Sequence, residues 1–277
     1  MPSIHRTIVA NRLLEVLPKS DLRQLLDRCE KVELAFGEVL HAPMERLCHV
    51  YFPISSFISL SMRVDNSASL EVALIGSEGM FGIPLALGVD TSPVSAAVRG
   101  AGSALRLDGE LFCRQLEQSR ALRSEIDRYV FVHLSQLEQA TACTRFHVVE
   151  ARLARWLLML QDRAHASTFH ITQELLAEML GVRRVGVTKA ASSLQRRDLI
   201  HYKRGKITVL DRRGLEAASC ECYKADQESY DRILGKPFRD EGYRDPAAAG
   251  RPWPTEVPRS PVQRIEERRT LGGHRRT

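Results

Sequence analysis

The stretch Ile171–Arg212, ITQELLAEMLGVRRVGVTKAASSLQRRDLIHYKRGKITVLDR, decides how this sequence is read. Thr172 is placed to cap a helix over about Gln173–Leu180, because its side-chain oxygen can accept from a free amide of the first turn. Leu176, Met179 and Leu180 give that helix an apolar face. Gly181 stops it where a tight turn needs a positive φ. Val182 begins the packing of a second helix, about Arg184–Arg197, and Val187, Ala190 and Leu194 continue it. Ala177 is small where the two helices must cross. An alanine, a glycine four residues on and a β-branched residue six further on is the spacing of two helices locked at a steep angle.

The second helix leaves Arg183, Arg184, Val185, Gly186, Thr188 and Lys189 outside its packed face. Short residues allow close approach to a groove, and Arg or Lys can reach guanine edges and phosphates. With Thr172 and Gln173 at the start of the first helix, these are the candidate DNA contacts. The following LIHYKRGKITVL predicts strands at Tyr202 and Ile207–Leu210. Lys203, Arg204, Gly205 and Lys206 then stand at the tip of a basic wing, suited to phosphates.

The charge distribution points the same way. The 277 residues carry 40 Lys/Arg and 34 Asp/Glu, a net +6. Residues 171–213 alone hold ten basic and four acidic residues, and 235–277 hold ten and six. Concentrated base of this kind is the electrostatic footprint of a nucleic-acid partner. With 44% hydrophobic and 27% charged residues the chain reads as globular. No apolar run reaches the ~18 residues that span a bilayer, and the N-terminus has no apolar signal core, so a cytoplasmic location and no membrane partner are expected. No Ser/His/Asp set, paired carboxylates or phosphate-cradling loop emerges. GSEGMFG at 76–82 lacks the Lys and Thr of a P-loop, and an enzyme is not expected.

Upstream, SDLRQLLDRCE predicts a helix capped by Ser20, with Leu22, Leu25, Leu26 and Cys29 on one face. From about Lys31 to Leu107 short apolar or alternating runs are separated by turn signals such as Asp65-Asn66-Ser67 and Gly100-Ala101-Gly102, which argues an antiparallel sandwich or roll. A short helix at 109–118 and a long one follow. In the long helix Ile126, Val130, His133, Leu137 and Ala140 alternate spacings of four and three, a narrow seam that predicts a homodimer. A helix packed on its own sheet would give a similar pattern. Leu153, Trp156, Leu157 and Leu160 line one face of a further helix. The fold class is thus α+β: a β-roll sensor domain (1–118), a dimerisation helix (119–145), a winged helix-turn-helix (146–225), and a disordered basic tail (235–277) with six of the twelve prolines.

Six cysteines, at 29, 48, 113, 143, 220 and 222, include no Cys-x-x-Cys, and their spacing fits no zinc site. Free thiols, no metal and no cofactor are expected. Cys220 and Cys222 would point to opposite faces of a helix, and could chelate one ion only if the backbone there were not helical.

These features together resemble the Crp/Fnr family of bacterial transcription regulators over about residues 10–225. The helix-turn-helix stretch is similar to the family's DNA-binding signature, and GEVLHAPMERLCHVYFPISSFISL and VALIGSEGMFGIPLAL are similar to its cyclic-nucleotide-binding-type roll. CECY at 220–223 resembles a sub-branch with poorly defined effectors. The resemblance implies a homodimer that reads a palindromic operator in the major groove and, if it activates, meets RNA polymerase.

Departures from the family pattern qualify this. Nucleotide-binding members grip the ribose with a Glu and the phosphate with an Arg. The matching positions here are Phe81-Gly82-Ile83 and Val94-Ser95-Ala96, so Ile83 and Val94 replace both groups. Arg99 lies five residues further on, at a different level of a roll. The effector pocket is therefore expected to be degenerate, with no cyclic nucleotide bound. Cys29 and Cys48 cannot supply a cluster's four thiolates, and His41, His49 and His133 are the imidazoles available to a haem. In the reading helix, Val185 stands where the family's cytosine-reading acid lies and Lys189 where an Arg lies, while Arg184 keeps the guanine-reading type. A different class of function, a small-molecule module acting through a protein partner, is separated from this one by salt-dependent retention on DNA.

Overall fold

The computed structural model describes residues 11–63, 69–164 and 166–235. The expected turn at 65–67 and all but the first residue of the expected tail lie outside these. Two short helices, α1 (Arg12–Glu15) and α2 (Lys19–Leu26), open the chain. Ser20 is not the cap of α2: the helix starts one residue before it, with Pro18 at the cap position and no side-chain cap. Pro has no amide to satisfy, and its fixed φ suits a helix start. Asn11, fully buried, ties this segment to the roll by donating from Nδ2 to the Pro53 and Gly79 carbonyls, both at 2.9 Å.

The roll is two antiparallel sheets. Strands β1 (Glu30–Leu34), β2 (Val39–His41), β3 (His49–Pro53), β4 (Phe57–Arg63) and β5 (Ser69–Ile75) precede a helical turn, α3 (Ile83–Ala86). Strands β6 (Ser95–Gly100) and β7 (Gly102–Asp108) complete it. One sheet has the order β1-β7-β3 and the other β2-β6-β4-β5. Val50, Phe52, Ile58, Val98, Ala104 and Leu107 fill the space within. Each such fully buried aliphatic or aromatic side chain contributes about 1.5–3 kcal/mol relative to exposure.

Helix α4 (Gly109–Gln118) starts where Asp108 accepts from the amides of Glu110 and Leu111, and Ser119 caps the long α5 (Arg120–Phe146) by accepting from Leu122. Ser119 is extended, which separates the two helices as expected. Phe112 of α4 meets Phe52 edge-on, and Leu122 and Ile126 of α5 close the same core.

Beyond α5 come α6 (Val149–Ala164), β8 (Thr168–His170), α7 (Gln173–Leu180), α8 (Arg184–Arg196), β9 (Ile200–Lys203), β10 (Lys206–Val209), α9 (Arg212–Ala218) and α10 (Cys222–Leu234). Strand β8 joins the wing hairpin to give a sheet ordered β8-β10-β9. The sequence reading had only the hairpin. A second core gathers Leu153, Leu157, Leu160, Leu176, Val187, Leu194, Ile207 and Leu215. It also takes in Phe57 and Leu74 of the roll. Helix α10, also not foreseen, runs back to the roll, where Tyr230 donates to the Glu78 carbonyl at 2.6 Å. No helix among the described residues is long and apolar enough to cross a membrane.

Candidate nucleic-acid interface

Helix α7 forms where the sequence placed it. Thr172 Oγ1 accepts from the Leu175 amide at 3.2 Å, and Gly181 ends the helix with φ +61°. The Val182 amide reaches back to the Ala177 carbonyl at 2.9 Å, the closing bond of a Schellman-type stop. Leu176, Met179 and Leu180 are buried, as are Val187, Ala190, Ala191 and Leu194 of α8. With those residues facing inward, the N-terminal turns of α8 turn Arg183, Arg184, Val185, Thr188 and Lys189 to solvent. Gly186 is half-buried against Val182.

Gln173 organises this face. Its Oε1 accepts from Thr188 Oγ1 at 2.9 Å and from Arg184 Nε at 3.4 Å. Arg184 also pairs with Glu174 at 2.9 Å, with both side chains more than half exposed. An exposed pair of this kind contributes ~0–1 kcal/mol, so Arg184 can exchange Glu174 for an external acceptor at little cost. Arg183, Lys189, Lys203, Arg204 and Lys206 make no ion pair among the described residues.

The wing is a two-residue hairpin. Lys203 pairs with Lys206 across it, and Arg204 and Gly205 both take positive φ, 51° and 73°. Such turns match the twist of the flanking strands. Tyr202 anchors the base: its hydroxyl donates to the Ile171 carbonyl at 3.0 Å, and its amide donates to Gln195 Oε1 at 2.7 Å. Burial pushes the Tyr202 hydroxyl up from its ordinary pKa, so it serves here as a donor. The reading helix and the wing tip thus present one array of exposed cations held on a packed frame.

The six expected effector positions sit in one neighbourhood of the roll. Phe81 is buried, bridges Tyr51 and lies 6.0 Å from the His41 ring. His41 pairs with Ala96, and Ser95 Oγ donates to the His41 carbonyl at 3.4 Å. Gly82 has φ +110°, and a Cβ there would meet Val50 Cγ1 at 2.6 Å. Ile83 and Val94 pack on the core. The Arg99 charge is felt at Glu71, whose carboxylate accepts from Ser59 at 2.6 Å and from Trp156 of α6 at 2.7 Å. Of the three imidazoles, His41 meets Ser92 and Phe81, and burial lowers the pKa of His133.

The expected dimer seam needs correction at Ile126 and Val130. Ile126 is fully buried in its own roll and Val130 packs on that core. His133, Leu137 and Ala140 line a cleft of about 90 Å³ with β5, Trp156 and Met179. Ile126 and Val130 of the four-and-three repeat are used within the chain, while His133, Leu137 and Ala140 stay half-buried. The outward stripe is instead Asp127, Phe131, Leu134, Glu138 and Thr141, in which Phe131 and Leu134 are 55% and 52% exposed.

The sequence reading also missed a group at the far end of α5, where Cys143, His147, Cys220 and Cys222 converge. The signal available was the four-residue spacing of Cys143 and His147, which puts them on one side of a helix.

Comparison with known proteins fits this architecture. No curated protein matches the chain. Among solved structures, a protein of Eubacterium rectale assigned to the Crp/Fnr regulators superposes with a TM-score of 0.60 at 17% identity, covering 74% of this chain and 96% of that one. FixK2 of Bradyrhizobium japonicum gives 0.59 at 14% identity, over 69% and 98%. CLP of Xanthomonas campestris, a c-di-GMP-responsive global regulator, gives 0.58 at 18% identity, over 70% and 100%. A family model for the Crp-like helix-turn-helix domain matches residues 151–218. The chain therefore carries a Crp-like helix-turn-helix domain and has the fold of the Crp/Fnr-family transcription regulators.

Proposed function

We propose that this chain is a cytoplasmic, homodimeric, sequence-specific regulator of transcription whose roll answers to something other than a cyclic nucleotide. The observation that carries the reading is the exposed face of α8 and the wing tip: exposed cations, of which Arg184 alone makes an ion pair among the described residues, on a Crp-like helix-turn-helix. Arg184 and Lys189 read bases in the major groove, with Arg183, Val185, Gly186 and Thr188 at the groove floor or wall. Thr172 and Gln173 at the start of α7, and Lys203, Arg204 and Lys206 on the wing, lie toward phosphates. A two-fold dimer would present two reading helices about one turn, ~34 Å, apart, so the operator should be palindromic. If it activates, RNA polymerase is the further partner.

The outward stripe of α5 supports the dimer. Phe131 and Leu134 are large, apolar and exposed one turn apart, and a second copy would cover them. A charge there, Leu134→Glu, is expected to give monomers by sedimentation and to weaken operator binding through loss of the second half-site. A wild-type monomer at micromolar concentration would overturn the dimer. At the positions matching those where nucleotide-binding members hold ribose and phosphate, Phe81, Ile83 and Val94 pack on the core. Calorimetry should show no micromolar binding of cyclic AMP or cyclic GMP. Selection of bound sequences from a random pool tests the reading as a whole. A single palindromic logo is expected, and salt-insensitive or sequence-blind binding would refute it.

A further inference from the structure

We propose that Cys143, His147, Cys220 and Cys222 form a tetrahedral site for one zinc ion, which staples the end of the long helix to the segment that follows the wing. One donor atom from each of the four lies within 4.8 Å of all the others. Cys143 Sγ is 3.5 Å from Cys220 Sγ, and Cys222 Sγ is 3.4 Å from His147 Nδ1. With zinc–sulfur bonds of about 2.3 Å, a tetrahedron sets its sulfurs ~3.8 Å apart, so these spacings need only small adjustment. A polynuclear iron–sulfur cluster spreads its ligands over several irons and would need donors further apart.

The backbone supplies the two pairs from different places. Cys143 lies in the last turn of α5, and His147 follows it in extended conformation, its amide donating to the Cys143 carbonyl at 3.1 Å. Cys220 precedes α10, Glu221 is its cap, and Cys222 is its first residue. Cys220 is therefore outside the helix, and that releases the pair from the opposite-face geometry of an i, i+2 pair within a helix. The three cysteines are buried and Ala151 packs against them, while the His147 side is open to solvent and provides an entry path.

The surroundings suit three thiolates and a neutral imidazole around a dication, a net charge of −1. Gln139 Nε2 donates to Cys222 Sγ at 2.9 Å, an outer contact that orients a ligand. Arg152 and Arg155 of α6 line the same cleft as Cys143, and Arg155 is paired with the buried Asp226 at 2.5 Å. Binding would release the thiol protons to solvent, with no change of oxidation state. The chain between the two ligand pairs is the whole winged unit, so the metal would fix the joint at residues 146–148.

Metal content is the direct test, and it does not depend on the DNA reading. Protein purified under reducing conditions is expected to hold about one zinc per chain. After chelation it should take up one cobalt(II) with the visible absorption of a tetrahedral thiolate site. Cys143→Ser and Cys222→Ser should lose this. Cys113→Ser, outside the cluster, should keep it. His147→Ala changes an exposed side chain and is expected to fold normally while binding cobalt more than tenfold more weakly. That variant and the wild-type titration decide the matter should the cysteine variants not fold. Chelation should also speed tryptic cleavage after the exposed Arg145. A reduced protein that stays folded by circular dichroism yet takes up neither zinc nor cobalt would overturn the proposal. So would a stable Cys143–Cys220 disulfide whose reduction restores no metal uptake, or uptake unchanged in the variants. Equal cleavage with and without metal would remove the staple.

Discussion

In the winged unit the apolar residues hold the frame and the charged residues stand outside it. Leu176, Val187 and Leu194 are buried, while Arg183, Arg184 and Lys189 are exposed within two turns of Val187. In the roll, Phe81 is buried, and Ile83 and Val94 lie on the core. Both regions fold on the same terms, because a sheet or a helix pair needs only the right apolar period and turns. The winged unit sets exposed cations beside its packing, whereas the roll positions 81, 83 and 94 set apolar side chains into theirs. The same packing rules serve both arrangements, and function has to be argued from the site.

The sharpest break of that comparison separates frame from face. Leu194→Ala removes a fully buried side chain from the second core. It is expected to cost about 2–5 kcal/mol of stability and to abolish operator binding with it. Thermal or denaturant unfolding checks the first part. Arg184→Ala should do the reverse. Among the described residues its ion pair is an exposed one with Glu174, so stability should hardly change, while binding to the preferred site should weaken by about 1–3 kcal/mol and one base position relax. An unchanged sequence logo for Arg184→Ala would mean that Arg184 is not a base reader.

A third variant probes where the two regions meet. Glu71 on β5 accepts from Trp156 of α6. Burial pushes its carboxyl up to about 7, against the pull of the Ser59 and Trp156 hydrogen bonds and the Arg99 and Arg163 charges. The folded chain thus keeps a proton through a pH range in which the unfolded chain has already lost it. Stability should fall as pH rises from the ordinary carboxylate range to about 7, and stay lower above it. Glu71→Gln keeps an acceptor for Trp156 without the charge. It should flatten that slope and add about 1–3 kcal/mol at pH 8. Parallel pH profiles of unfolding for the two proteins would sink this account.

What the sequence made legible follows the same division. The α7–turn–α8 unit is local: a cap at Thr172, a stop at Gly181 and apolar positions four and seven apart lie within one window, so its helices appear where the pattern puts them. The roll's alternation likewise gives strands. Convergence from afar was hidden. Cys143 and Cys220 are 77 residues apart in the chain, and no spacing rule joins them. The α5 seam was misassigned for a related reason. A four-and-three repeat states that a helix face is covered, but not whether a second copy or, as at Ile126 and Val130, the chain's own roll core covers it. Helix α10 and strand β8 were missed because each completes a surface defined by distant elements.

The smallest expected effect lies at the wing, where charge and turn geometry can be told apart. Lys206 is exposed and opens β10, so Lys206→Ala should leave the hairpin intact. A phosphate contact there predicts weaker binding to every sequence alike, with the slope of log affinity against log salt reduced by about one. Arg204 needs a different substitution, because its φ of 51° places it in the left-handed region. Asn tolerates that region, so Arg204→Asn should remove the charge and keep the turn. Its salt slope should change as for Lys206→Ala. Arg204→Val removes the same charge but strains the turn, since a β-branched residue resists positive φ. It should therefore lose stability as well as affinity. If Arg204→Asn and Lys206→Ala altered the preferred sequence rather than the salt slope, the wing would be reading bases, and the division between a reading helix and a phosphate-holding wing would fail.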